Sequence, residues 1–320
     1  MRKYLQLVLA LAVLLPLTVI AQGYPDRPVK IIVPYPPGAT TDQLARELAN
    51  GWSKALGQPF LVDYKPGANM TIGTSFVAAA PPDGYTLLIS TSGGNITTPA
   101  LMSKPPYDGI KEFASVGMAL STGNLLVVGT HVPATNLQQF IELMKAKPGQ
   151  VTFATPGGGG TTHISGEIFR ELANVKWTWV PYKGGTPVIN DLLGGHIDCA
   201  PMGVSLVLPL IKSGRLRALA IASKARAKVL PEVPTFLELG IQDVAEQWYG
   251  VLAPAGTPPA IVHTLYTTMA NYLLQPEVRD RLEQTGSEVF LLDPQKSLAF
   301  MLEEKVKLTK AAKGLGISLD

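Results

Sequence analysis

Two glycine-rich segments hold the residues best suited to chemistry. The first is Tyr35-Pro36-Pro37-Gly38-Ala39-Thr40-Thr41-Asp42. The second is Thr155-Pro156-Gly157-Gly158-Gly159-Gly160-Thr161-Thr162-His163. Each lies where a short apolar run ends and a helical pattern begins. The first N–H groups of a helix have no intrahelical acceptor, and the helix dipole places positive charge behind them, so such a turn favours an anion. Glycine lets the backbone approach a ligand closely, and threonine hydroxyls add donors. Each charge-assisted hydrogen bond contributes ~1.5–3 kcal/mol. One such turn on each of two bodies would hold the two ends of a dicarboxylate. Ordinary tight turns between strand and helix have the same composition, so either segment alone leaves both readings open.

Other chemistries fit less well. A P-loop needs Lys and Ser/Thr after its last glycine, whereas Thr161-Thr162 follow Gly160. The dinucleotide pattern G-x-G-x-x-G, started at Gly157, meets Thr162 where it needs glycine. No G-x-S-x-G nucleophile turn occurs. His131, His163, His196 and His263 are scattered. His163 and Glu167 stand four apart on a helix, but H-E-x-x-H is absent, so no metal and no cofactor is expected. Cys199, the one cysteine, excludes an internal disulfide and reads as a small buried hydrophobe. Asp42 either favours the helix dipole, contacts the ligand or orders its loop. Tyr182 and Lys183 precede Gly184-Gly185; the ammonium either faces a carboxylate or is a solvated loop lysine. Trp177 and Trp179 share one strand face and read as core, as do Met118 and Met202.

The elements that must position these turns alternate along the chain. Strands are expected at Lys30–Val33, Phe60–Val62, Thr86–Ile89, Leu125–Val128, Val151–Ala154, Trp177–Val180, Leu216–Ile221 and Trp248–Leu252. Apolar positions at Leu44, Leu48, Trp52 and Leu56 line one helical face. Further helices are expected over Ile72–Ala80, Leu137–Lys145, Ile164–Leu172 and Val188–Leu193, the last with Thr186 as N-cap and Pro187 at its first position. The remainder from Ala260 reads as mostly helical: Ile261–Leu274, Glu277–Glu283 and Gln295–Leu315. This alternation predicts an α/β fold with mainly parallel sheets, and it restarts with the strand Leu125–Val128.

Composition narrows the class. The chain has 320 residues, 46% hydrophobic and 16% charged, too apolar for disorder and long enough for two domains of roughly 100–200 residues each. No basic stripe marks a nucleic-acid binder. Arg2 and Lys3 precede an apolar run from Leu5 to Ile20, short of the ~20 residues that a spanning helix needs. Residues 1–21 read as a secretory signal peptide, with cleavage after Ala21. Removing Arg2 and Lys3 takes the 27 basic residues to 25, against 24 acidic ones, so the mature chain is close to neutral.

The mature chain resembles the Bug-type receptors, the periplasmic substrate-binding proteins of tripartite tricarboxylate transporters. The resemblance rests on Tyr24-Pro25-Asp26-Arg27-Pro28-Val29-Lys30-Ile31-Ile32-Val33-Pro34, Pro37-Gly38, Thr41-Asp42 and Ala45-Arg46. It continues through Lys65-Pro66-Gly67-Ala68 and Pro82-Asp83-Gly84-Tyr85-Thr86-Leu87-Leu88. In the second half it rests on Val180-Pro181-Tyr182-Lys183-Gly184-Gly185, Asp191-Leu192-Leu193-Gly194-Gly195 and Ser213-Gly214-Arg215-Leu216-Arg217. It closes with Val233-Pro234-Thr235 and Ala253-Pro254-Ala255-Gly256-Thr257-Pro258.

The resemblance implies a two-lobed Venus-flytrap, type II-like, with residues 22–122 and 247–320 in one lobe and 123–246 in the other. It implies capture of a small organic carboxylate by a monomer, without catalysis, for integral-membrane transporter subunits. By carry-over the two glycine-rich loops bind carboxylates, and Thr91-Ser92-Gly93-Gly94-Asn95 faces the same cleft, with Ser92 and Asn95 as donors. Two departures stand out. Ala39 replaces a usual second glycine and would reshape the loop if the backbone there needs positive φ. Asn69-Met70 replaces two further glycines after Pro66-Gly67-Ala68. Aliphatic di- and tricarboxylates are the family's default; Tyr35 beside the loop also admits an aromatic acid such as terephthalate. A periplasmic sensor subunit with the same ligand is an alternative, as is an exported hydrolase, which would need a nucleophile–His–acid cluster.

Overall fold

The structure, a computed structural model, describes residues 23–157, 160–242, 247–314 and 319. The expected leader over residues 1–21, its cleavage point and Gly158-Gly159 lie outside the described residues.

The chain builds β1 (Val29–Val33), α1 (Thr40–Leu56), β2 (Phe60–Tyr64), α2 (Thr71–Ala78), β3 (Thr86–Thr91) and β4 (Phe113–Thr122). It crosses at Gly123 into β5 (Asn124–Gly129), α3 (Leu137–Ala146), β6 (Thr152–Thr155), α4 (Thr161–Leu172), β7 (Thr178–Pro181), α5 (Gly185–Gly194), β8 (Cys199–Gly203), α6 (Val204–Lys212) and β9 (Leu216–Ala222). It then returns through β10 (Gln247–Pro254), α7 (Pro259–Leu273), α8 (Pro276–Glu283), β11 (Ser287–Leu292) and α9 (Pro294–Gly314). The strands form a six-stranded sheet, β11-β4-β10-β3-β1-β2, and a five-stranded sheet, β7-β6-β8-β5-β9. Among the described residues, no helix is long and apolar enough to cross a membrane.

Short apolar runs become central strands because both sheet faces are covered. In β1, Val29, Ile31 and Val33 pack with Leu44, Leu48 and Trp52 of α1 and Leu265 and Met269 of α7. Ile32, one residue out of phase, packs on the opposite face with Val77, Met301 and Leu308. The second lobe repeats this layering: Leu126 and Val128 face Phe140 and Phe169, while Leu125 and Val127 face Val188, Leu192 and Val207.

Both sheets are mixed, which corrects the expectation of mainly parallel ones. β1 pairs in parallel with β2 and β3, and β6 with β7 and β8. β10 runs antiparallel to β3 and β4, β11 to β4, and β5 to β8 and β9. Every antiparallel pair involves β4, β5 or β10, the strands at which the chain leaves or enters a sheet across the lobe boundary instead of through a β-α-β crossover. The expected N-cap of α5 also moves: Gly184, with φ 114°, occupies that position, and Thr186 and Pro187 lie inside the first turn.

Candidate functional site

Each lobe contains a β-α-β-α-β unit with its first strand in the middle. β1 lies between β2 and β3, and β6 lies between β7 and β8. Successive helices therefore leave the central strand in opposite directions, which opens a crevice beyond the carboxyl ends of the central and third strands. The loops at these crevices follow β1 and β3 in one lobe, and β6 and β8 in the other. They meet in pairs across the lobes. Thr40 Oγ1, after β1, lies 3.2 Å from Ser205 Oγ, after β8. Ser92 Oγ, after β3, lies 2.8 Å from Thr161 Oγ1, after β6.

Three helices begin at this junction without a side-chain cap. Their N-cap residues are Ala39 for α1, Gly160 for α4 and Gly203 for α6. Their positive ends therefore converge with first-turn N–H groups that lack intrahelical acceptors. Ala39 is extended, with φ −101° and ψ 176°, so the alanine causes no strain and positive φ is confined to Gly38, with φ 100°.

Local bonds fix the first loop. Asp42 Oδ2 accepts from the Gly38 N–H at 2.9 Å, and Oδ1 accepts from Arg46 Nε at 2.7 Å and from Tyr64 OH. Desolvation raises the Asp42 carboxyl, but the hydrogen bonds from Tyr64, Gly38 and Arg46, with the Arg46 charge, prevail and hold it below its usual value. Asp42 thus orders the loop, and its charge is matched inside the lobe. Tyr35 OH lies 2.9 Å from Thr91 Oγ1, which also accepts from the Gly94 N–H. Thr41 Oγ1 is buried and has no hydrogen-bond partner among the described residues.

The second loop rests on an aromatic pair. Trp179 Nε1 donates to Thr155 Oγ1 at 2.9 Å, and Thr155 Oγ1 donates to the Gly157 carbonyl at 2.7 Å. The Trp179 indole stacks on the His163 ring, with centroids 4.1 Å apart and planes 7° apart. Trp179 is therefore half-exposed beside the loop and not core, whereas Trp177 is buried against Phe153. Burial, reinforced by the Arg170 charge, lowers the His163 pKa from its ordinary 6.5 to about 4. At neutral pH the ring is a dipole and not a cation. Glu167 accepts from Trp177 Nε1 and pairs with Arg170 at 2.7 Å, so it is no metal partner for His163. Among the described residues no group of His, Cys, Asp and Glu could hold a metal ion.

Two expected donors, Asn95 and Tyr182, are engaged within their own lobes. Asn95 is turned into its own lobe, donating to the Gly109 carbonyl and accepting from Ser90. Tyr182 OH donates to Asp191 at 2.5 Å, and burial with this carboxylate pushes its pKa up to about 12. Lys183 is exposed at the end of β7. Thr162, half-buried, lies in the first turn of α4 with Thr161 and His163. Ser205 and Trp179 were not anticipated as site residues. Ser205 follows a strand that contains Pro201 and so lacks a local strand pattern, and Trp179 carries only the ordinary signature of a core aromatic.

Two lobes with facing switch-point crevices define a two-lobed solute-binding protein. The model of the TctC family, the tripartite tricarboxylate transporter family receptors, matches residues 44–317. Protein BugT of Bordetella pertussis is 36% identical over 286 residues, 89% of this chain and 88% of its own. A solved Rhodopseudomonas palustris protein with adipate is 33% identical with TM-score 0.87, over 92% of this chain and 99% of its own. MatC of the same organism, with bound malate, is 30% identical with TM-score 0.81, over 90% and 99%. The chain belongs to the tripartite tricarboxylate transporter receptor family. It is a periplasmic-type substrate-binding receptor and not an enzyme.

Proposed function

We propose that this receptor captures a small organic dicarboxylate between its lobes and delivers it, as a monomer, to the membrane subunits of a tripartite transporter. The leader would export the chain to the periplasm and be removed. Closure of residues 123–246 on residues 22–122 and 247–320 then traps the ligand. The observation that carries the reading is the pairing of switch-point loops across the lobes, Thr40 with Ser205 and Ser92 with Thr161. That pairing brings the uncapped starts of α1, α4 and α6 to one place. One carboxylate would rest on the first turn of α1 and the other on the first turn of α4. Relatives solved with adipate and malate support the ligand class.

The test is thermal unfolding of protein that has been unfolded and refolded to remove carried ligand, with malate, succinate, adipate and terephthalate. Ligand at ~100 times its dissociation constant stabilises by ~2.7 kcal/mol, a shift of roughly 5 °C in this size range. At least one acid should give that shift. No shift with any of them would overturn the reading.

A further inference from the structure

Three consecutive residues without a glycine among them adopt left-handed backbone at the cleft edge: Ala68 with φ 44°, Asn69 with φ 50° and Met70 with φ 73°. L-residues visit this region rarely and as single residues, asparagine most readily. Two hydroxyls hold the turn. Thr71 Oγ1 donates to the Ala68 carbonyl at 2.7 Å, and Thr74 Oγ1 donates to the Met70 carbonyl at 2.9 Å. Behind them Gly73 seats the start of α2 against Pro34 and the Lys65 carbonyl, where a Cβ would stand 2.8 Å from that oxygen. The turn is thus anchored to the same strand end that carries the Tyr35 loop.

Backbone strain retained at a functional site points to what its side chains do. Met70 is half-buried. Its Sδ lies 3.6 Å from where a Gly93 Cβ would stand, and its Cβ lies 3.5 Å from the corresponding point at Gly94. Tyr35 OH lies 3.4 Å from the same Gly93 point. The thioether therefore covers the first-lobe wall beside Ser92 and Tyr35. Asn69 is exposed, and its Oδ1 lies 3.7 Å from the Cβ position of Gly157 in the other lobe. A glycine pair would follow this path freely and leave both places open.

We propose that Asn69 and Met70 are specificity-determining residues that restrict the receptor to short, aliphatic dicarboxylates. Met70 fills the space into which a longer chain or an aromatic ring would extend. Asn69 closes the mouth against the Gly157 loop and offers its carboxamide to the outer end of the ligand. This inference rests on the dicarboxylate reading above.

The experiment is calorimetric titration of refolded protein with succinate, adipate, suberate and terephthalate. It uses the natural chain, Met70→Gly, Asn69→Gly and the double variant. Glycine suits these φ values, so the variants should fold. The natural chain should bind succinate most tightly. Met70→Gly should shift the ratio of dissociation constants toward suberate or terephthalate by about tenfold or more, equivalent to ~1.4 kcal/mol. Asn69→Gly should weaken all four acids by a similar factor. An unchanged ratio in Met70→Gly, with succinate still bound, would overturn this inference and leave the receptor reading standing. Binding of no acid by any of the proteins would overturn both.

Discussion

Gly160 separates the needs of the fold from those of the ligand. It caps α4 with φ −75° and ψ 171°, ordinary backbone for any L-residue, and a Cβ there meets nothing within 4 Å. Asp and Asn are both better N-caps than glycine, by a few tenths of a kcal/mol. Gly160→Asp and Gly160→Asn should therefore melt within a few degrees of the natural chain when unliganded. Only Asp adds a charge facing the anion. At ~5 Å and an effective dielectric near ~20, the repulsion is ~3 kcal/mol, so Gly160→Asp should bind a dicarboxylate about a hundredfold more weakly than Gly160→Asn. Equal affinity in the two variants would remove the start of α4 from the site. The two helix starts were legible in the sequence as glycine- and threonine-rich turns, Gly38 to Thr40 and Gly160 to Thr161. The anchoring of Asp42 and Asn95 was not legible, because a carboxylate and a carboxamide beside glycine-rich turns look locally like cleft contacts. Beside its near partners Gly38 and Arg46, Asp42 accepts from Tyr64, 22 residues away, and Asn95 donates to Gly109, 14 residues away; no local pattern announces the two distant bonds.

Helix α4 carries a second consequence through His163 and β7. The His163 ring is 4% exposed and stacked on Trp179, so protonation must take place in a desolvated position. Its folded pKa, about 4, lies below the ordinary 6.5. Between these values the unfolded chain binds a proton that the native one does not. Stability therefore rises with pH across this window, is fully present above 6.5, and is lost as pH falls toward 4. The slope from this residue is at most ~1.4 kcal/mol per pH unit. Urea unfolding at pH 5 and pH 7 should show a smaller pH effect in His163→Phe, which keeps a stacked ring without the titration. An identical effect in both proteins would locate the acid sensitivity elsewhere. The helix itself was legible from its apolar spacing. Legibility failed where tertiary context overrides composition. β4 carries Ser115, Gly117 and Ser121 yet is a central strand, because β10 and β11 hydrogen-bond both its edges. β8 contains Pro201, and α6 contains Pro209, so both are poor local candidates. β11 follows two helices and pairs at the sheet edge, which a helical reading of the last 60 residues absorbed.

The two lobes touch at more than the candidate site. Lys228 Nζ reaches Glu283 Oε2 at 3.0 Å, and Leu101 packs with Ile164. The exposed ion pair contributes ~0–1 kcal/mol, so close packing must set the geometry of closure. Gly286, between α8 and β11, is one place where the first lobe packs closely on the second. A Cβ there would stand 2.2 Å from Val204 Cγ1 at the start of α6, and its φ is +79°. Gly286→Ala therefore meets two separable penalties. Left-handed alanine costs ~1–2 kcal/mol in the folded chain whether the lobes are open or closed, and lowers the melting temperature of unliganded protein. The collision with Val204 exists only when α6 is docked, so it acts on closure and hence on affinity. Gly286→Ala should weaken dicarboxylate binding by tenfold or more, mainly through faster release, since interface changes act largely on the off-rate. Val204→Gly removes the colliding side chain, whose Cγ1, Cβ and Cγ2 would stand 2.2, 2.6 and 3.2 Å from the new Cβ. In the double variant affinity should recover while the melting temperature stays low, and the cycle of four proteins isolates the coupling. If Gly286→Ala lowers the melting temperature without weakening binding, or if Val204→Gly fails to restore it, the docking of α6 on the α8–β11 turn is not part of ligand capture. Recovery would instead tie affinity to packing at the start of α6, between the lobe that carries the Tyr35 loop and the helix that presents Ser205 to it.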